Sequence, residues 1–83
     1  MKRKAFFLRI LRNQNNVRFL KFTQLVEAFG FLLDRTDGSH YIYQHPGVRE
    51  IVNLQKVKGQ VKPYQIRQFL KIVEKYNLRT EDE

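Results

Sequence analysis

Phe22, Leu25, Val26 and Phe29 recur at i, i+3, i+4 and i+7, one face of a helix, and Gly30 follows where a left-handed residue commonly ends one. Ile66, Phe69, Leu70 and Val73 repeat that spacing behind Pro63, whose fixed φ and missing amide suit a first helical turn. This helix is expected to end around Asn77. A third apolar group, Ala5, Phe6, Leu8, Ile10 and Leu11, is interleaved with Arg9 and Arg12 and reads as a shorter helix stopping at Asn13-Gln14-Asn15-Asn16. Residues 31–36 and 39–45 are apolar or aromatic runs flanking Asp37-Gly38, the dipeptide suited to a two-residue type I′ turn. A hairpin is predicted there, with Thr36 opposite Ser39 and Arg35 opposite His40. Pro46-Gly47 ends its second strand, residues 51–55 read as a third strand, and residues 56–62, with Gly59 and three lysines, as a loop.

The expected fold class is therefore α+β: helix, three antiparallel strands and helix, with an extra N-terminal helix. Helices would cover one face of the sheet and leave the other available. Tyr41 and Tyr43 alternate on one side of the second strand, opposite His40 and Ile42. Burial of both is favoured over base stacking, because a small domain needs large side chains in its core. A length of 83 residues suits one domain over 1–83, with residues 1–20 as an N-terminal helical extension and residues 79–83 as an acidic tail.

Composition narrows the function classes. The chain is 42% apolar with seven Phe and four Tyr, too rich in core-forming residues for a disordered segment. It has no Cys, which excludes disulfides and thiolate zinc sites, and two histidines with scattered carboxylates make no ligand cluster. Neither metal nor cofactor is expected, and a reducing cytoplasm suits such a chain. The longest strongly apolar stretch, residues 29–33, is far short of the ~20 residues that span a bilayer, so no membrane partner is expected.

Charge adds the first hint of a partner. Lys plus Arg number 16 against 8 Asp plus Glu, a net charge of +8. Three of the acids are the terminal Glu81-Asp82-Glu83, so the positive excess is concentrated in the part expected to fold. A polyanion, nucleic acid above all, is the favoured partner, although a basic surface also serves solubility alone. Lys56, Lys58 and Lys62 precede the last helix, and Arg67, Lys71 and Lys75 continue at four-residue spacing along it. Such a row suits either a solvated face or a phosphate backbone, with the loop and the first helical turn the stronger candidates for RNA contact.

Gly38-Ser39-His40 sets an imidazole at a hairpin turn, held by the ladder yet within reach of solvent. A neutral imidazole there can take the proton of a ribose 2′-hydroxyl, and a guanidinium beside it, Arg35, can grip the phosphate. A structural role for a lone histidine is the competing reading. His45, on the other side of the strand and before Pro46, reads as a strand-ending residue with a local hydrogen bond.

Taken in order, Gly30-Phe31, Arg35, Gly38-Ser39-His40-Tyr41-Ile42-Tyr43 with His45-Pro46, and Lys62-Pro63 with Ile66-Arg67 and Phe69-Leu70 resemble the signature of the HicA-like (YcfA-like) toxins of bacterial toxin–antitoxin pairs. The resemblance runs from about Phe22 to Leu78. It implies a fold similar to double-stranded-RNA-binding domains and a metal-independent endoribonuclease acting on mRNA. It also implies that His40 is the catalytic histidine and that a HicB-type antitoxin blocks the site. The chain differs from the common pattern in having Tyr64-Gln65 after Lys62-Pro63, no second histidine among residues 53–58, and the extension at 1–20. If the leaving 5′ oxygen needs an acid, Lys56 or Lys58 would have to supply it. The alternatives from other classes are a non-catalytic RNA-binding module and an antitoxin-binding subunit without activity.

Overall fold

The computed structural model of the chain describes residues 2–80. In order the elements are α1 (Lys2–Arg12), β1 (Val17–Arg18), α2 (Phe19–Ala28), β2 (Leu32–Asp37), β3 (His40–Gln44), β4 (Val52–Gln55), β5 (Gln60–Val61) and α3 (Pro63–Tyr76). The predicted tail Glu81-Asp82-Glu83 lies outside the described residues. Strands β2, β3 and β4 form an antiparallel sheet in that order, and β1 pairs antiparallel with β5 in a separate two-stranded ribbon. With three helices this is an α+β fold, and the succession α2, β2, β3, β4, α3 fits the topology of a double-stranded-RNA-binding domain.

Helices α2 and α3 stop where their apolar period stops. After α2, Gly30 takes a φ of +97° and donates its N–H to the Glu27 carbonyl at 2.9 Å, while Phe31 N–H reaches back to Val26 at 3.4 Å. Those two bonds satisfy carbonyls that a helix end otherwise leaves open. Asn77 does the same for α3 at φ 52°, donating to Glu74 at 3.2 Å ahead of a Leu78 bond to Val73 at 2.9 Å. The buried faces of the two helices meet through aromatic edges. Phe69 is the hub, with ring centroids 5.4 Å from Phe22, 5.7 Å from Phe29 and 5.6 Å from Phe31. Edge-to-face pairs of this kind add about 0.5–1.5 kcal/mol each beyond the burial of their area. Helix α1 joins the same core through the fully buried Ile10 and through Phe6 and Phe7, the latter 5.3 Å from Phe29.

Tyr43 is buried and Tyr41 packs on Phe19 with centroids 4.7 Å apart, so both tyrosines go to the core with their β4 partners Val52 and Leu54. Burial, reinforced by the nearby Glu27 carboxylate, raises the Tyr43 phenol above its ordinary range.

Two sequence expectations need correction. The hairpin turn is Gly38-Ser39, not Asp37-Gly38: Asp37 pairs with His40, Thr36 with Tyr41 and Arg35 with Ile42. The physical reason is backbone sterics. Among the turn residues only Gly38 has a positive φ, +61°, which a turn with glycine at its first central position requires, whereas a type I′ turn on Asp37-Gly38 would force it on Asp37 as well. A register break between Leu33 and Arg35 follows in the edge strand β2. The second correction concerns residues 56–62. They hold a two-residue turn in which Val57 and Gln60 exchange both backbone bonds at 2.9 Å, with Lys58 at φ 51° and Gly59 at φ 75°. Strand β5 then pairs with Val17–Arg18, and Phe19 N–H donates to the Gly59 carbonyl at 2.9 Å.

Candidate active site

With Tyr41, Tyr43, Val52 and Leu54 turned to the core, the period of two sends His40, Ile42 and Gln44 of β3 to the opposite face of the sheet. Their cross-strand neighbours on that face are Asp37, Arg35 and Leu32 of β2, and Gln55 and Asn53 of β4. The face is open: Leu32, Arg35, Asp37, Gln44 and Asn53 are all exposed, and only Ile42 is buried among them.

His40 stands half-buried at the hairpin end of this face. Its Nδ1 lies 3.0 Å from Asn53 Oδ1. An amide oxygen only accepts, so this contact is a hydrogen bond in the tautomer that carries its hydrogen on Nδ1, the tautomer that leaves the lone pair on Nε2. Among the described residues Nε2 has no hydrogen-bond partner. The ring is thus fixed on one side and unoccupied on the other.

Arg35 shares the face of His40 but stands opposite Ile42, so it is a diagonal neighbour, for which separations are roughly 7–8 Å, and not the direct partner expected from the sequence. Asp37 takes the position opposite the histidine. The Arg35 guanidinium is ion-paired with Asp34 at the break in β2 and remains 60% exposed, so it can still meet a phosphate.

The basic residues divide between this corner and elsewhere. Lys56 follows β4 directly and donates its N–H to the Ser39 carbonyl at 2.9 Å, which holds its backbone at the corner with His40. Its ammonium sits 6.0 Å from the centre of the Phe19 ring. Lys58 occupies the tip of the adjoining turn, and Lys62 the N-cap of α3. Arg67 and Lys71 are exposed, but on the helix that packs beneath the opposite face of the sheet, so they are not brought to His40. Lys75 is engaged elsewhere: its Nζ is 2.8 Å from Glu50 Oε2, and Tyr76 donates its hydroxyl to Glu50 Oε1 at 2.5 Å. These two bonds hold the Glu50 carboxyl down at about 2.

His45 is a structural residue. Its Nδ1 accepts the Gly47 N–H at 2.9 Å, and its ring meets the edge of Phe31 at 5.0 Å. Among the described residues no group of three or more His, Cys, Asp or Glu side chains could hold a metal ion. The residues that sequence reasoning missed are Asn53, Asp37 and Gln55, which reach His40 only through the register of the sheet.

The model of the family described as the HicA toxin of bacterial toxin–antitoxin systems matches residues 21–74, more than half of the chain. The chain belongs to the HicA toxin family. No curated protein and no solved structure matches it. The match begins inside α2 and ends inside α3, so the HicA core contains the open face, His40 and Asn53, while α1 and β1 lie outside it. As a HicA toxin the chain has a toxin role and an antitoxin as its partner. Among the described residues no helix is long and apolar enough to cross a membrane.

Proposed function

We propose that this HicA toxin is a metal-independent endoribonuclease that cleaves mRNA with His40 as general base and is neutralised by a HicB-type antitoxin covering the same face. The observation that supports it is the His40 ring on the open sheet face, Nδ1 held by Asn53 and Nε2 free of protein partners among the described residues. In this reading Nε2 takes the proton of a ribose 2′-hydroxyl and the 2′ oxygen bonds to the adjacent phosphorus. The bond from phosphorus to the 5′ oxygen breaks, leaving a 2′,3′-cyclic phosphate. The departing oxygen takes its proton from Lys58 at the tip of the neighbouring turn, because the Lys56 ammonium lies against Phe19 on the core side of the sheet. Arg35 stabilises charge on the phosphoryl oxygens, and Lys56, Lys58 and Lys62 grip the backbone, with Arg67 and Lys71 extending the positive field. The reaction belongs in the cytoplasm, where mRNA and antitoxin would meet the toxin.

The test uses one oligonucleotide sequence in three chemistries: RNA, DNA and 2′-O-methyl RNA. Cleavage is expected for RNA alone, with cyclic phosphate ends and no change on adding EDTA. Cutting of either analogue, or loss of activity on chelation, would overturn the mechanism.

A further inference from the structure

The geometry points to a second phosphate-binding groove, built by the N-terminal extension, that holds the backbone of single-stranded RNA outside the cleavage site. It rests on the reading of the chain as an RNA-directed toxin, and concerns residues that the HicA family match leaves out or barely reaches. An open groove of about 450 Å³ lies between α1, β1 and α2, lined by Ala5, Phe6, Arg9, Asn16, Arg18 and Lys21. That volume is in the range of small-molecule sites in general, ~300–1,000 Å³. Its lining carries three cations and no carboxylate. Three like charges around one groove repel one another, and an anion seated between them relieves that repulsion.

Two of the three cations are held by contacts that do not neutralise them. Arg9 donates from Nη2 to the Asn15 carbonyl at 3.2 Å. The backbone of Arg18 is paired with Gln60 in the ribbon, and its side chain lines the groove. Lys21 lies 5.5 Å from the centre of the Phe6 ring. Among the described residues none of the three is in a salt bridge. The C-terminal dipole of α1 favours a cation in its last turn and would account for Arg9, but it does not account for Arg18 or Lys21. The floor is anchored to the core, since Ile10 one residue beyond Arg9 is fully buried and Phe6 packs against the core.

The position of the groove favours RNA over an acidic peptide. Arg18 directly precedes Phe19, whose N–H is bonded to Gly59 at the tip of the lysine turn and whose ring carries Lys56. Lys56 in turn is bonded to Ser39 beside His40. Backbone bonds therefore link the histidine corner, through Lys56 and the Lys58-Gly59 turn, to Arg18 at the groove, so that basic residues recur along a path a polyanion can follow.

The experiment measures binding of a mixed-sequence 20-nucleotide 2′-O-methyl RNA, which the proposed chemistry cannot cut, as a function of salt. The full chain is compared with its Arg9→Ala/Arg18→Ala/Lys21→Ala variant and with an Arg12→Ala/Arg49→Ala/Arg79→Ala variant of equal net charge. Each single-strand phosphate contact contributes ~0.7 to the slope of log affinity against log salt, so the groove variant is expected to flatten it by about two units. The control variant is expected to change it by less than half as much. Equal effects of the two variants, or an unchanged slope, would overturn the groove. So would an unchanged RNA slope accompanied by weakened binding of a polyglutamate peptide. The probe is not cleaved, so the result is independent of whether His40 is a catalyst: loss of the groove leaves cleavage standing, and failure of cleavage leaves the groove measurable.

Discussion

Replacing Asn53 by Ala removes the only protein group that bonds His40 Nδ1 among the described residues, at 3.0 Å on a face open to water. A neutral hydrogen bond at such a site contributes a net ~0.5–1.5 kcal/mol to the arrangement it holds. Converted at 1.4 kcal/mol per factor of ten, the expected loss of cleavage rate is about two- to tenfold. The loss is expected in kcat with KM nearly unchanged, because the amide orients the base and does not contact RNA. Asn53→Asp keeps an acceptor at the same place and is expected to stay within about twofold of the parent. A fluorogenic mixed-sequence RNA reports the rate, and long-range proton–nitrogen spectra of the ring report which nitrogen carries hydrogen, with Nδ1 expected in the parent chain. An Ala variant with unchanged kcat, or a ring protonated on Nε2 in the parent chain, would refute the claim that Asn53 sets the base.

Three further outcomes follow from other contacts. Gly30→Ala places a Cβ 2.9 Å from His45 Nε2 at a φ of +97°, and His45 is anchored to Gly47 and Phe31. A loss of at least about 2 kcal/mol is expected, a drop in Tm of roughly 10 °C or more, against a smaller loss for Gly38→Ala, whose Cβ meets nothing within 4 Å. Glu50 has its carboxyl lowered from 4.5 to about 2 by Lys75 and Tyr76, so its bonds stabilise the fold above pH 4.5 and are lost as pH falls towards 2. The urea midpoint of Glu50→Gln is expected below that of the parent at pH 7, with the gap narrowing as pH falls from 4.5 towards 2; a gap as wide at pH 2 as at pH 7 would contradict this. Replacing Lys56, Lys58 and Lys62 together by Ala is expected to flatten the salt dependence of RNA affinity by about two units, and an unaltered slope would move the RNA surface away from the turn.

Local rules made most of the frame legible. Pro63, the 66-69-70-73 spacing and Asn77 bound α3, and Gly30 ends α2 as its missing side chain suggests. The alternation of Tyr41 and Tyr43 against His40 and Ile42 sorts the two sheet faces correctly because the strand period does not depend on the turn. Register does depend on it. Asp37-Gly38 and Gly38-Ser39 are both acceptable turn dipeptides, and choosing between them slid Arg35 away from His40 while leaving it on the same face. The pairing of Val17–Arg18 with Gln60–Val61 left no signal, since two-residue strands have no period and their partners are more than 40 positions apart. For the same reason Asn53 was invisible as a partner of His40 and Glu50 as the partner of Lys75: both contacts exist only after distant segments have packed. The groove at Arg9, Arg18 and Lys21 likewise needs α1 docked through Ile10 before its charges converge.

The claim on which the account turns is that one imidazole does the chemistry, and His40→Ala tests it most directly. The variant is expected to keep the parent's circular dichroism and its affinity for 2′-O-methyl RNA within about twofold, while cleavage of the matching RNA falls by at least ~100-fold and growth arrest in cells disappears. Cleavage by a folded His40→Ala chain at the parent's rate would contradict the account.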